Sequence, residues 1–123
     1  AMLIAGDKVA EVCCKGNCKN NAFNIIVPSN VTVYEICWYF WAKTESYGCS
    51  AKLYINGKEV ASVGADKTIT KWNTTEVVSG GNETGVIIVD KPNEIKLQAC
   101  GGSSAYSCYC GRAKGGITVI YKI

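Results

Sequence analysis

Apolar and polar residues alternate at a period of two over much of this chain, and the 3.6-residue spacing of an amphipathic helix is almost absent. Residues 94–100 are the clearest case: Ile95, Leu97 and Ala99 point to one side, Glu94, Lys96 and Gln98 to the other. Residues 22–27 predict a first strand, closed by Pro28-Ser29-Asn30, and residues 31–43 a long second one. Residues 50–55 and 58–63 flank Asn56-Gly57, a dipeptide that suits a type I′ hairpin because both central positions need positive φ. The register expected from that turn sets Leu53 opposite Val60 and Ile55 opposite Lys58, with Ala51, Leu53, Ile55 and Val60 facing the core. Further strands are predicted at residues 68–72 and 84–89, with a turn at Asp90-Lys91-Pro92-Asn93. Residues 101–116 read as a long excursion stapled by Cys108 and Cys110. Residues 117–123 close the chain, with Ile117, Val119, Tyr121 and Ile123 on one side.

Strands at this spacing predict an all-β chain: an immunoglobulin-like or jelly-roll β-sandwich with an extended N-terminal strand and multiple disulfides. Residues 1–21 are expected to form an N-terminal arm and cysteine-rich hinge, and residues 22–123 the sandwich.

One stretch resists simple alternation. In residues 36–43, ICWYFWAK, one face of the strand would carry Ile36, Trp38 and Phe40 and the other Cys37, Tyr39 and Trp41. Both faces are apolar, so the second needs a cover: loops of the same chain, a sugar stacked on the aromatic rings, or another copy of the protein. The arm poses the same question. Leu3, Ile4, Val9 and Val12 give it apolar area that favours burial, and an uncovered apolar edge is a hazard that proteins manage. The arm either folds onto its own domain or adds as a strand to a neighbouring subunit. The expected subunit interface is therefore Leu3, Ile4, Val9, Val12, Trp38, Tyr39 and Trp41.

Eight cysteines in 123 residues change the picture most: Cys13, Cys14, Cys18, Cys37, Cys49, Cys100, Cys108 and Cys110. Their even number in a short chain predicts a disulfide framework and an oxidising compartment, with the pairing left open. A zinc site is disfavoured, because only Cys14-x3-Cys18 has suitable spacing and the chain has no histidine. Three sequons, at Asn30, Asn73 and Asn82, point to an extracellular or cell-surface glycoprotein. No stretch is long and apolar enough for a transmembrane helix.

Charge adds little. The net charge is +3, the lysines are scattered, and Arg112 is the only arginine, so no basic tract favours nucleic acid. The absence of histidine removes the common catalytic triads. Glu35, set among apolar residues, is the only candidate acid, and a glycosidase needs two converging carboxylates. No catalytic residue, cofactor or metal is expected.

Pro28-Ser29-Asn30-Val31-Thr32-Val33, followed by Ala51-Lys52-Leu53-Tyr54-Ile55-Asn56-Gly57-Lys58-Glu59-Val60, resembles the front half of the immunoglobulin-like modules of prokaryotic, including archaeal, surface and adhesion proteins. Tyr106-Ser107-Cys108 resembles the Tyr-x-Cys of their strand F, and Gly115-Gly116-Ile117-Thr118-Val119 the start of strand G. The resemblance implies a Cys37–Cys108 inter-sheet disulfide, although Leu53 stands where the family carries tryptophan. The arm-plus-sandwich layout also looks like the subunits of donor-strand pili and archaeal threads. The expected function is an extracellular structural protein that polymerises with itself head to tail by strand complementation. The alternatives are a monomeric secreted module that binds surface glycans or proteins, and a small inhibitor using the loop 101–110.

Overall fold

The computed structural model describes residues 2–45, 48–64, 67–74, 77–79, 87–103 and 107–122. They form eleven strands: β1 (Met2–Cys13), β2 (Cys18–Ile26), β3 (Thr32–Thr44), β4 (Ser50–Ile55), β5 (Lys58–Val63), β6 (Lys67–Thr74), β7 (Val77–Ser79), β8 (Ile87–Val89), β9 (Pro92–Cys100), β10 (Gly102–Ser103) and β11 (Cys108–Lys122). Two antiparallel sheets make a β-sandwich-like, all-β fold. The first runs β1-β11-β3-β6, with β10 appended to β11; the second runs β2-β9-β4-β5. The short β7 and β8 pair in parallel beside them. No helix among the described residues is long and apolar enough to cross a membrane.

The alternation read from the chain becomes the two faces of each sheet. On β9, Ile95, Leu97 and Ala99 are buried, as expected. On β3, Ile36, Trp38, Phe40, Ala42 and Thr44 face the core, while Cys37, Tyr39 and Trp41 are half-buried on the outer side. Ile117, Val119 and Tyr121 of β11 complete the inner face of that sheet, opposite Leu53, Ile55, Ile95 and Leu97 of the other. Burial of this apolar area is the main stabilising contribution, at roughly 25 cal/mol per Å2.

The hairpin between β4 and β5 turns at Asn56 and Gly57, both at positive φ (50° and 82°), the geometry a type I′ turn needs. Its register differs from expectation beyond the first two pairs. Ile55 faces Lys58 and Tyr54 faces Glu59, but Leu53 faces Ala61 rather than Val60. A bulge absorbs Val60 and turns Ala61 and Val63 inward, since one extra residue reverses the side-chain alternation that follows it.

Three other boundaries move. The stretch read as arm and hinge divides differently: β1 takes residues 2–13, only residues 14–17 turn, and β2 already begins at Cys18. β1 lies in the first sheet of its own chain, antiparallel to β11 from Met2↔Tyr121 to Cys13↔Cys110. The predicted excursion at 101–116 is mostly strand, because β11 starts at Cys108. Its glycines sit where backbones crowd: a Cβ on Gly111 would lie 2.5 Å from the Cys100 carbonyl oxygen, too close for any side chain.

Candidate functional site

One end of the sandwich is stapled. Cys13 bonds Cys110, Cys14 bonds Cys108 and Cys18 bonds Cys100. Two of these bridges join register partners, Cys13↔Cys110 on the β1–β11 ladder and Cys18↔Cys100 on the β2–β9 ladder. Gly101 fits against this knot, with a Cβ position only 2.6 Å from the Cys14 carbonyl oxygen. Two of the eight cysteines expected in disulfides are instead thiols: Cys49 is buried, and Cys37 donates to Glu35 Oε1 at 3.2 Å. The Cys37–Cys108 bridge implied by the immunoglobulin resemblance is not formed. Cys37 lies opposite Thr118, ten residues along β11 from Cys108, a span of roughly 33 Å at ~3.3 Å per residue and far beyond disulfide reach.

The other end is locked by a buried asparagine. Asn93 has no exposure. Its Nδ2 donates to the carbonyls of Ile25, Ile88 and Lys91, and its Oδ1 accepts from Ile88 N–H and Asn56 Nδ2. A buried amide is tolerated only when satisfied in this way, and here it ties β2, β8, β9 and the β4–β5 turn together. Read as a turn residue in the sequence, Asn93 carries no local sign of that role.

Between the ends lies the outer face of the first sheet, where the exposed chemistry gathers. Antiparallel register sets the side chains in rows. Asp7, Gly116 and Tyr39 share one row; Val9, Lys114, Trp41 and Thr70 the next; Glu11, Arg112, Lys43 and Thr68 the third. The Tyr39 hydroxyl donates to Asp7 Oδ2 at 3.4 Å. Burial, and then the Asp7 charge and that hydrogen bond, push the Tyr39 phenol above its ordinary 10.0. The Arg112 guanidinium lies over the Trp41 ring, 5.7 Å from its centroid, while its Nε sits 3.6 Å from Glu11 Oε2. Tyr39, Trp41, Thr70, Arg112 and Lys114 line a shallow open groove of about 490 Å3. The aromatic half of this groove is visible in the sequence. Arg112, Lys114 and Thr70 join it only through register, without any local signal.

The other predicted positions fall as follows. Trp38, expected at a subunit interface, is 5% exposed and belongs to the chain's own core; its alternation with Tyr39 sends it inward. Val12 packs against that core, Val9 is 40% exposed, and Leu3 and Ile4 lie on β1 opposite Ile120 and Val119. Asn30 is exposed in the β2–β3 turn at φ 58°. Asn73 lies within β6 opposite Trp38, and Asn82 lies outside the described residues. Glu35 is exposed on the outer face of β3. Among the described residues no group of three or more His, Cys, Asp or Glu gathers as a metal site.

The chain matches no protein-family model and no curated protein sequence.

Proposed function

We propose that this chain is an extracellular structural protein, a jelly-roll subunit that assembles with copies of itself into a surface filament by exchanging β1. The strand order supports the jelly-roll assignment over the immunoglobulin one. With the short β7, β8 and β10 set aside, β1-β11-β3-β6 over β2-β9-β4-β5 places the first strand beside the last, as two nested Greek keys require. Three disulfides in so small a domain agree with an oxidising, extracellular setting, and the exposed Asn30 is the sequon best placed to carry a glycan there.

The observation that carries the proposal is the position of β1. Among the described residues it is an edge strand, held by one ladder to β11, with its disulfides gathered at the Cys13 end. A strand from another copy would fill the place that β1 vacates on β11, and one entering head to tail would form a parallel ladder there in place of the present antiparallel one. The disulfide knot would keep the body folded and serve as the pivot. The direction of the arm sets the outcome. Swung straight out from Cys13, it enters a head-to-tail neighbour parallel to that neighbour's β11. If it keeps its antiparallel register, the two disulfide ends must face each other and the pair closes as a dimer.

The test is a lock. Ala5 and Thr118 are register partners eight residues down the ladder from Cys13 and Cys110, and so have the same pairing geometry as that native bridge. The oxidised double variant Ala5→Cys with Thr118→Cys cannot release the arm. Filaments from the unlocked chain under electron microscopy, and monomers from the locked one, support the proposal. Filaments from both, closed dimers alone, or monomers from both at high concentration overturn it.

A second reading, a glycan- or protein-binding surface module, is favoured by one observation: Tyr39 and Trp41 stand half-exposed along an open groove instead of being covered by the described loops.

A further inference from the structure

The sequence shows no basic tract, yet the fold makes a basic cluster. Arg112 and Lys43 are register partners, and Lys114 is the partner of Trp41, so three cations share two adjacent rows with one indole on the outer face. Within those two rows the only carboxylate is Glu11, which approaches the Arg112 Nε and leaves the two terminal nitrogens of the guanidinium without a partner among the described residues. Lys43 and Lys114 form no ion pair among the described residues either. Thr68 and Thr70, exposed on the neighbouring β6, add two hydroxyls along the same rows.

We propose that this groove binds an acidic saccharide, one whose rings carry carboxylate or sulfate groups. Each part of the site matches one part of that chemistry. A guanidinium with two unengaged terminal nitrogens presents the fork that pairs bidentately with a carboxylate or sulfate. The two lysines supply point charges on either side. The Trp41 ring, half-buried and partly overlain by the Arg112 guanidinium, offers its remaining apolar surface to the C–H face of a sugar, and an indole keeps its shape at low conformational-entropy cost on binding. The threonine hydroxyls donate to or accept from ring hydroxyls. The groove is shallow and open along β3, which suits a chain polymer running across the sheet rather than a small molecule enclosed in a pocket. A single-stranded nucleic acid would also use cations and an aromatic ring, but the disulfide framework agrees with the extracellular setting proposed above, where glycans are the abundant polyanions. This inference goes beyond self-assembly and does not depend on it, because the groove is complete within one copy.

The experiment uses the full oxidised chain and calorimetric titration with polygalacturonate, dextran sulfate, neutral dextran, polyglutamate and an oligothymidylate. Binding to polygalacturonate or dextran sulfate, with little to the other three, is expected, and the tighter of the two names the acidic group as carboxylate or sulfate. Trp41→Ala, which leaves every charge in place, is expected to weaken binding about tenfold, as the loss of one stacking contact does. Arg112→Gln is expected to weaken it similarly and to flatten its dependence on salt. Both variants should unfold within a few degrees of the parent, since both side chains lie on the outer face. Equal affinity for polyglutamate, tighter binding of the oligonucleotide, or an unchanged affinity in Trp41→Ala overturns the proposal.

Discussion

Tyr39 on β3 reaches Asp7 on β1 across the whole width of the strand between them, and Gly116 is the residue it crosses. A Cβ at position 116 would stand 2.8 Å from Cε1 of the Tyr39 ring and 3.0 Å from the Asp7 Cβ. The Gly6 carbonyl oxygen is nearer still, at 2.7 Å, so the glycine marks a close approach of backbone as well as side chains within a strand rather than a turn. Gly116→Ala should displace the ring, break the Tyr39–Asp7 contact and destabilise the fold by about 1–3 kcal/mol, the usual cost of overpacking. Guanidinium unfolding measures it, and a parent-like midpoint would show that the ring has room to move.

The same contact predicts a response to alkali. The Tyr39 phenol is raised above 10.0 by burial first and by Asp7 second, so the folded state favours the neutral ring. That contribution is complete below the unfolded pKa near 10 and is lost as pH rises through the folded value. A phenolate absorbance titration of the parent minus Tyr39→Phe should give a midpoint above the ordinary value. In Asp7→Asn the midpoint should move down, because two of the three causes are removed.

Asn93 offers a test of the buried network. Replacing it by alanine deprives Ile88 N–H, the Asn56 amide and three backbone carbonyls of a partner at once. Each buried polar group left unsatisfied costs about 1–3 kcal/mol. A loss of at least about 2 kcal/mol is expected in chemical unfolding, with amide exchange quickening first around residues 87–93.

The two tryptophans of β3 should behave differently although only two residues separate them. Trp38 is core, and Trp38→Ala should cost roughly 3–5 kcal/mol. Trp41 is half-buried on the outer face, and Trp41→Ala should cost less than about 1 kcal/mol. Comparable losses would mean that the outer face is covered.

The Cys13–Cys110 bridge spans 97 residues of chain. Removing it with paired Cys→Ser changes should cost less than the roughly 2–4 kcal/mol of an isolated bridge, because Cys14–Cys108 still closes nearly the same loop. Amide exchange along β1 should quicken nearest Cys13, where the neighbouring Cys14–Cys108 bridge is then the only covalent link to β11 among the described residues. Under the exchange proposal, the same variant should also assemble faster than the parent.

What the sequence alone determined is whatever depends on neighbours in the chain. The all-β class, the inward set on β9 and the Asn56-Gly57 turn all follow from backbone torsions and a side-chain period of two, whereas which apolar face of β3 is buried does not. Tertiary structure decided everything that depends on which strand lies beside which. Cys108 pairs with Cys14 rather than Cys37, a bulge sets Leu53 opposite Ala61 while Val60 still packs against the core, and a lone arginine sits over Trp41 beside two lysines. Those outcomes are set by registers between segments up to a hundred residues apart, and no local pattern carries that information. Sliding β11 by one residue would leave every local preference in place, turn its inner residues outward and dismantle the groove.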